Sequence, residues 1–82
     1  MKRIKLGGCS YLYQETKRKY TLFADPKDKG WCEHLKGKPI FQIEDTGNGI
    51  EFTQRNKNKL SYDEAQELIY LLKKIKHLII NK

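Results

Sequence analysis

Short segments that alternate apolar and polar residues, separated by turns, fill the first sixty positions of the chain. Ile4 and Leu6 alternate with basic residues, and Gly7-Gly8 ends this first segment. Segments 10–15 and 19–24 are rich in aromatic residues, which suit the pleated surface of a sheet. The polar residues between these two segments indicate a hairpin. The pattern therefore predicts three strands in this part of the chain.

Two turn-rich stretches and a clear hairpin follow. Residues 25–30 and 36–39 combine proline, glycine and charged side chains, and the segment 31–35 between them is a possible strand. Asn48-Gly49 lies between the alternating segments 40–44 and 50–54. Because asparagine and glycine both tolerate a positive φ, this pair predicts a tight β-hairpin.

The last twenty residues have the pattern of a helix. Ser61 and Glu64 have the spacing of a capping box, in which each side chain accepts a hydrogen bond from the other residue's backbone N–H. Apolar residues then recur every three or four positions, as Ala65, Leu68, Leu72, Ile75 and Ile79, and this stripe is widened by Ile69, Leu71 and Leu78. This spacing predicts a helix from about residue 61 to about residue 80.

Together these elements predict an α+β fold. We expect an antiparallel sheet of about four or five strands over residues 2–54, with one C-terminal helix (about 61–80) packed on one face. A chain of 82 residues is expected to form a single domain, 1–82. The opposite face of the sheet is then open to water or to a partner, and function is expected there.

Charge and cysteine content narrow the classes of protein. The 17 Lys and Arg against 10 Asp and Glu give a formal net charge of +7. The chain has no run of the ~18–20 apolar residues that a membrane span requires, and no apolar core of a signal peptide. Cys9 and Cys32 are too few for a secreted disulfide scaffold. We therefore expect a cytoplasmic protein with free thiols and no membrane association.

Catalytic and metal-binding patterns are weak. Cys32 and His34 would share one face of a strand, but a thiol two residues from an imidazole also arises by chance. The residues with zinc-ligand chemistry, Cys9, Cys32, His34 and His77, lack the two close pairs that small zinc domains normally show. We expect no enzymatic activity, no metal and no cofactor.

Basic and aromatic residues interleave between positions 11 and 20, which favours nucleic-acid binding. Single-strand-binding proteins combine cations that contact phosphates with rings on which bases stack. The expected phosphate contacts are Lys17, Arg18, Lys19, Arg55, Lys57 and Lys59, and the stacking candidates are Tyr11, Tyr13 and Tyr20. The sequence thus predicts a non-enzymatic domain that binds single strands or binds without sequence preference. This prediction requires the side chains to meet on the sheet face that the helix leaves free.

The order of the last elements resembles a known fold. In this chain, strands are followed by a helix that Leu60-Ser61 precedes. This order is similar to that of a family of single-strand-binding proteins, in which a four-stranded sheet precedes one helix. The resemblance covers about the last forty residues. Asn56-Lys57-Asn58-Lys59 stands where that family has Lys-Gly-Ile-x-Leu. A shared fold by itself implies no function.

A protein-interaction or inhibitor module is the alternative. The small size and the Lys-, Ile- and Asn-rich composition also suit a protein encoded by a phage or another mobile element, which occludes a surface of a host protein. An exposed sheet edge or the same aromatic residues would then provide the contacts, because aromatic residues and arginine dominate binding energy at interfaces.

Overall fold

Five antiparallel strands form one sheet in the computed structural model, which describes residues 1–56 and 58–80. The strands are neighbours in chain order: β1 (Lys2–Leu6), β2 (Cys9–Glu15), β3 (Lys19–Ala24), β4 (Pro39–Asp45) and β5 (Ile50–Gln54). Two helices follow, α1 (Tyr62–Lys74) and the short α2 (Lys76–Ile80). The predicted α+β fold, with its sheet and C-terminal helix, is confirmed.

The core lies between α1 and one face of the sheet. Alternate side chains of β2, β3 and β4 point toward the helix, where Leu71 and Ile75 are fully buried. Partly buried residues such as Leu68 and Leu78 pack around this cluster. The other face of the sheet carries no helix among the described residues. In that part of the chain, neither helix is long and apolar enough to cross a membrane.

The prediction of a possible strand at 31–35 is wrong. Glu33–Leu35 forms one 3-10 turn instead, and Trp31 closes one end of the core. The indole Nε1 of Trp31 donates to the backbone oxygen of Ser10 at 2.7 Å, and its ring meets Tyr11 edge-on with centroids 5.1 Å apart. A side chain tied to β2 in this way leaves the backbone after Trp31 outside the sheet.

The hairpin between β4 and β5 is confirmed, but its positive φ lies at a different residue. Gly47 has φ +87°, whereas no described residue other than glycine has a positive φ. The side chain of Asp45 accepts from the N–H of Gly47 at 3.0 Å, and the N–H of Thr46 donates to the oxygen of Gly49 at 3.0 Å. The turn therefore depends on Gly47 rather than on Asn48-Gly49.

The C-terminal helix begins as predicted and is interrupted once. Ser61 Oγ accepts from the N–H of Glu64, and the Glu64 carboxylate accepts from the N–H of Ser61, both at 3.1 Å. This is the predicted capping box. At Ile75 the backbone leaves helical geometry, with φ −99° and ψ 11°, so the predicted single helix is divided into α1 and α2.

We predict that Ser61→Ala lowers the free energy of unfolding by about 1 kcal/mol, because the N–H of Glu64 loses its acceptor at the start of α1. Urea unfolding measures the change. Ser61→Asp is the matched control, since its carboxylate restores an acceptor, and it should remain near the wild type. An unchanged unfolding midpoint in Ser61→Ala would show that the box contributes nothing to stability.

Candidate functional site

The three tyrosines proposed as base-stacking residues belong to the core. Tyr11, Tyr13 and Tyr20 keep only 3%, 6% and 4% of their surface exposed, because β2 and β3 direct these side chains toward α1. Tyr70 of α1 meets Tyr13 edge-on, with ring centroids 5.9 Å apart. Strand alternation shows which residues share a face, but not which face a helix covers. These rings therefore offer no surface on which a base could stack.

The proposed phosphate-binding cations are divided between two ends of the sheet. Lys17 and Arg18 form the tip of the β2–β3 hairpin, whereas Arg55 and Lys59 follow the far end of β5. A strand of five residues separates these ends by about 17 Å. Lys57 lies outside the described residues. The structure does not bring these cations together into one surface.

Two of the proposed cations already contact carboxylates. Lys19 Nζ lies 3.8 Å from an oxygen of Glu44, and Arg55 Nη2 lies 3.7 Å from an oxygen of Glu64. Glu64 is buried, and Nδ2 of Asn56 donates to both of its oxygens at 3.1 Å. Desolvation opposes ionisation of Glu64, but the hydrogen bonds that it accepts outweigh this effect and lower its pKa. Arg55 is thus part of the structure that anchors the start of α1.

Glu67, one helical turn after Glu64, is also buried against the sheet. Among the described residues, its Oε2 has no hydrogen-bond partner, and neither has Nη1 of Arg55. Both side chains border a cavity of about 260 Å³ near the start of α1. Burial raises the pKa of Glu67 to about 7, although the neighbouring hydroxyl of Tyr11 lowers it. This carboxyl group is therefore partly protonated near neutral pH.

The buried face of α1 differs from the predicted face by about one residue. The sequence centred the face on Ala65, Leu68, Leu72, Ile75 and Ile79. The structure buries Glu64, Glu67, Leu71 and Ile75. One residue corresponds to about 100° around a helix. Because of this rotation Leu72 and Ile79 remain 40% and 50% exposed. The three- and four-residue spacing of Glu64, Glu67 and Leu71 was the sequence signal for the face that is buried. It was missed because a buried helix face is normally apolar, and two of these three residues are glutamates.

An apolar surface results beside the last strand, on the side of the sheet that carries the helices. Phe52 pairs with the buried Ile43 and therefore points to this side, yet it remains 44% exposed. Its ring stacks on that of Phe41 with centroids 5.7 Å apart, which fixes its position. Ile50 is 45% exposed and borders a cavity of about 410 Å³ together with Ile79 of α2.

One flank of α1 extends this surface. The flank with Tyr70 faces Tyr13 of β2, so the opposite flank, which carries Leu68 and Leu72, faces β4 and β5. We call the apolar residues on this side the β5 surface: Ile50, Phe52, Leu68, Leu72 and Ile79. Exposed apolar side chains on one side of a domain are a feature of interaction sites.

The two edge strands of the sheet differ in chemistry. β1 carries three cations, Lys2, Arg3 and Lys5, which discourage another strand from pairing with that edge. β5 has no lysine, arginine or proline, and Glu51 is its only charged residue. Within residues 1–56 and 58–80, no strand pairs with the outer side of β5. This edge is therefore available to an additional strand.

The residues considered for metal binding lie in different parts of the fold. Cys9 and Cys32 are free thiols that border the 260 Å³ cavity, whereas His34 lies in the 3-10 turn and His77 on α2. Across the described ranges, no three metal-ligating side chains come close enough to hold an ion. Burial raises the pKa of Cys9, so this thiol stays protonated near neutral pH.

We predict that Glu67→Gln changes how stability depends on pH. The pKa of Glu67 is about 7 in the folded state and about 4.5 when unfolded, so the folded protein binds more protons between these values. Ionisation of Glu67 therefore lowers the free energy of unfolding as pH rises from about 4.5 through about 7, by at most about 3 kcal/mol.

Glu67→Gln lacks this ionisation and should gain stability relative to the wild type across the same window. Urea unfolding at a series of pH values measures the difference between the two proteins. The other carboxylates are common to both and cancel in that difference. A difference that stays constant from pH 5 to pH 8 would contradict the raised pKa.

The candidate site thus consists of the β5 surface and the free edge of β5, and it differs from the residues that the sequence nominated. The site is defined by the geometry of these residues alone. Comparisons with known proteins found no matching protein-family model, curated protein or solved structure.

Proposed function

We propose that the protein is a non-enzymatic protein-binding domain, which accepts an extended segment of a partner protein as a sixth strand beside β5. The observation that carries this proposal is the orientation of α1. The helix buries Glu64 and Glu67 while it leaves Leu72 exposed on the flank that faces away from β2. Burial of carboxylates opposes folding, and burial of leucine favours it. A partner that covers the β5 surface would recover the apolar burial that folding leaves incomplete.

The backbone of β5 supports addition of a strand. The N–H of Arg55 donates to the oxygen of Ile40 at 3.0 Å, which makes these residues a hydrogen-bonded pair of the β4–β5 ladder. Hydrogen-bonded and non-hydrogen-bonded pairs alternate in an antiparallel ladder. The N–H and C=O groups of Ile50, Phe52 and Gln54 therefore point away from β4. An extended peptide at a sheet edge pairs with such groups.

The side chains define the chemistry of the segment. Residues of an added strand alternate between the two faces of the sheet. Those on the helix side would lie beside Ile50 and Phe52, which are 45% and 44% exposed, so they must be apolar. Those on the opposite side would lie beside Glu51 and Thr53, where polar or basic residues fit. The expected segment therefore alternates apolar with polar or basic residues.

A second copy of the chain covers this surface less well. Antiparallel pairing of two β5 strands would place Phe52 opposite Phe52 and Glu51 opposite Thr53. No two charges of the same sign would then face each other. The two α1 helices, which lie over β2 and β3, would then be six strand spacings apart, about 29 Å. A helix is only ~10 Å wide, so most of both β5 surfaces would stay uncovered. A partner segment with its own apolar side chains is the better occupant.

This proposal reverses the order of preference drawn from the sequence. The nucleic-acid prediction required exposed tyrosines beside a single group of cations, and the tyrosines are buried while the cations are divided. The protein-interaction alternative named an exposed sheet edge or the same aromatic residues as the contact surface; the tyrosines are buried, and the edge of β5 supports the first of these. An inhibitor that occludes a host protein, the finer form of that alternative, would use the same surface.

We predict that Ile50→Lys weakens binding of strand-forming peptides at least tenfold. The probes are peptides selected from a random nine-residue display library with the intact protein as bait. The variant removes an apolar contact and adds a cation to the edge, a change that discourages strand pairing. Tyr62→Lys is the matched control, because Tyr62 is 96% exposed and lies outside the β5 surface. It introduces the same charge and should bind as the wild type does.

Amide hydrogen exchange adds a readout specific to strand addition. The amides of Ile50, Phe52 and Gln54 should become protected when a peptide binds, whereas those of Glu51 and Thr53 are already protected by β4. Selected peptides that bind Ile50→Lys normally would contradict the proposal. So would a concentration-dependent dimer that Ile50→Lys abolishes, because a second copy would then be the occupant.

A further inference from the structure

Four cations meet around one cavity on the sheet face opposite α1. The cavity has a volume of about 440 Å³, and its cationic lining residues are Arg3, Lys5, Lys27 and Lys29. Arg3 and Lys5 pair with Leu12 and Ser10 of β2, so both point to the open face and lie about 7 Å apart along β1. The two lysines come from the loop between β3 and the 3-10 turn. None of these four residues belongs to the cations nominated from the sequence.

Hydrogen bonds to Ser10 hold the loop in this position. The N–H of Ser10 donates to Asp28 at 2.6 Å, and its hydroxyl donates to Asp25 at 2.7 Å. Asp25 also accepts from the N–H of Lys27 at 2.9 Å and from Nε of Arg3 at 2.6 Å. One residue of β2 thereby fixes both carboxylates of the loop, and the loop carries its lysines to β1.

The two carboxylates are occupied within the protein. The guanidinium of Arg3, followed by the N–H of Lys27, holds the pKa of Asp25 well below its usual value. Hydrogen bonds from the N–H groups of Ser10 and Gly30 lower the pKa of Asp28. Both groups are therefore ionised at neutral pH. Four cations against two carboxylates leave the lining with a net charge of +2.

The three lysines of this group form no ion pair within the described ranges, although Lys5 is near enough to Asp28 to contribute to the lowering of its pKa. Of the ion pairs formed there, only the pair of Arg3 with Asp25 involves the cavity, and none uses Lys5, Lys27 or Lys29. All three lysines are exposed. Their ammonium groups can therefore contact an external anion without first breaking an internal ion pair.

An aromatic ring lies on the same open face. Phe23 pairs with Leu12 across β2 and β3, and Leu12 pairs with Arg3 across β1 and β2. Two strand spacings, about 10 Å, therefore separate Phe23 from the cations of β1. Phe23 is only partly buried and does not belong to the core cluster. Phosphate-binding cations near a partly exposed ring are the combination found in proteins that bind single strands.

We propose that Arg3, Lys5, Lys27 and Lys29 bind backbone phosphates of a single-stranded nucleic acid, with Phe23 as the surface on which a base stacks. The site lies on the β1 side of the open face, whereas the β5 surface lies at the other edge and on the helix side. It is therefore independent of the protein-binding function proposed above. The nearby ring favours nucleic acid over an acidic protein segment, because a carboxylate-rich chain gains little from stacking.

The test compares two variants with the same change in charge. The site variant is Lys5→Ala, Lys27→Ala and Lys29→Ala. The control variant is Lys17→Ala, Arg18→Ala and Lys19→Ala, which removes three cations at the other end of the sheet. Arg3 is left unchanged because it pairs with Asp25. The probe is a fluorescently labelled twelve-nucleotide oligo(dT), titrated at low salt, and thermal unfolding verifies that both variants fold.

The site variant should bind at least tenfold more weakly, and the control variant less than threefold more weakly. Wild-type affinity should fall with a log–log slope of about −2 to −3 in salt concentration, as three or four phosphate contacts require. Phe23→Leu keeps an apolar side chain and should weaken binding about fivefold through lost stacking, which is about 1 kcal/mol.

Four outcomes would overturn the proposal. The first is no binding of the oligonucleotide by the wild type. The second is an equal loss in both triple variants, which would mean that overall charge alone attracts the probe. The third is full competition by poly-glutamate of the same charge, which would assign the cavity to acidic polypeptides. The fourth is full competition by millimolar inorganic phosphate, which would assign it to a free phosphate group.

Discussion

Glu64 and Glu67 lie between α1 and the sheet, and their position sets the rotation of the helix on which the rest of the surface depends. Glu64 is satisfied there, because Ser61, Asn56 and Arg55 all approach its carboxylate. Leu72 lies eight residues after Glu64 and therefore about 80° around the helix from it, so a helix anchored by this carboxylate turns Leu72 away from the sheet. The anchor at the start of α1 thus exposes an apolar flank farther along it. Packing would favour the opposite rotation, so the local hydrogen bonds at the cap outweigh the burial of one leucine.

The two edges of the sheet differ in what they expose. α1 covers β2 and β3 and leaves Phe52 of β5 44% exposed, with its ring stacked on that of Phe41. At the other edge β1 has three cations and a loop that Ser10 ties down. One edge therefore offers apolar side chains and unpaired backbone groups, and the other offers positive charge. Exposed edges usually carry charge that prevents association. β5 carries only one charged residue, Glu51, so this protection is weaker there than on β1.

Local signals in the sequence were sufficient for the five strands and for the start of α1, but not for residues 31–35 or for the interruption at Ile75, and long-range packing decided the site. The capping box at Ser61 and the alternation in the strands depend on residues close in sequence, which is why they were predicted. Tyr11 and Tyr13 alternate as expected, but a tyrosine suits either face of a sheet, because its ring is apolar and its hydroxyl is polar. Only the position of α1 decides between the faces. Lys27 and Lys29 appeared as part of a turn, and their approach to Lys5 depends on hydrogen bonds to Ser10, eighteen residues from Asp28.

The distance between the two edges has a consequence for how the proposed ligands would interact. β1 and β5 are separated by four strand spacings, about 19 Å. Charges on the surface are screened over about 8 Å at physiological ionic strength. A phosphate chain at β1 would therefore change the electrostatic potential at β5 very little. The two ligands also approach opposite faces, so neither blocks the other. If both proposals hold, a polynucleotide and a protein segment would bind at the same time, and each affinity would be almost independent of the other ligand.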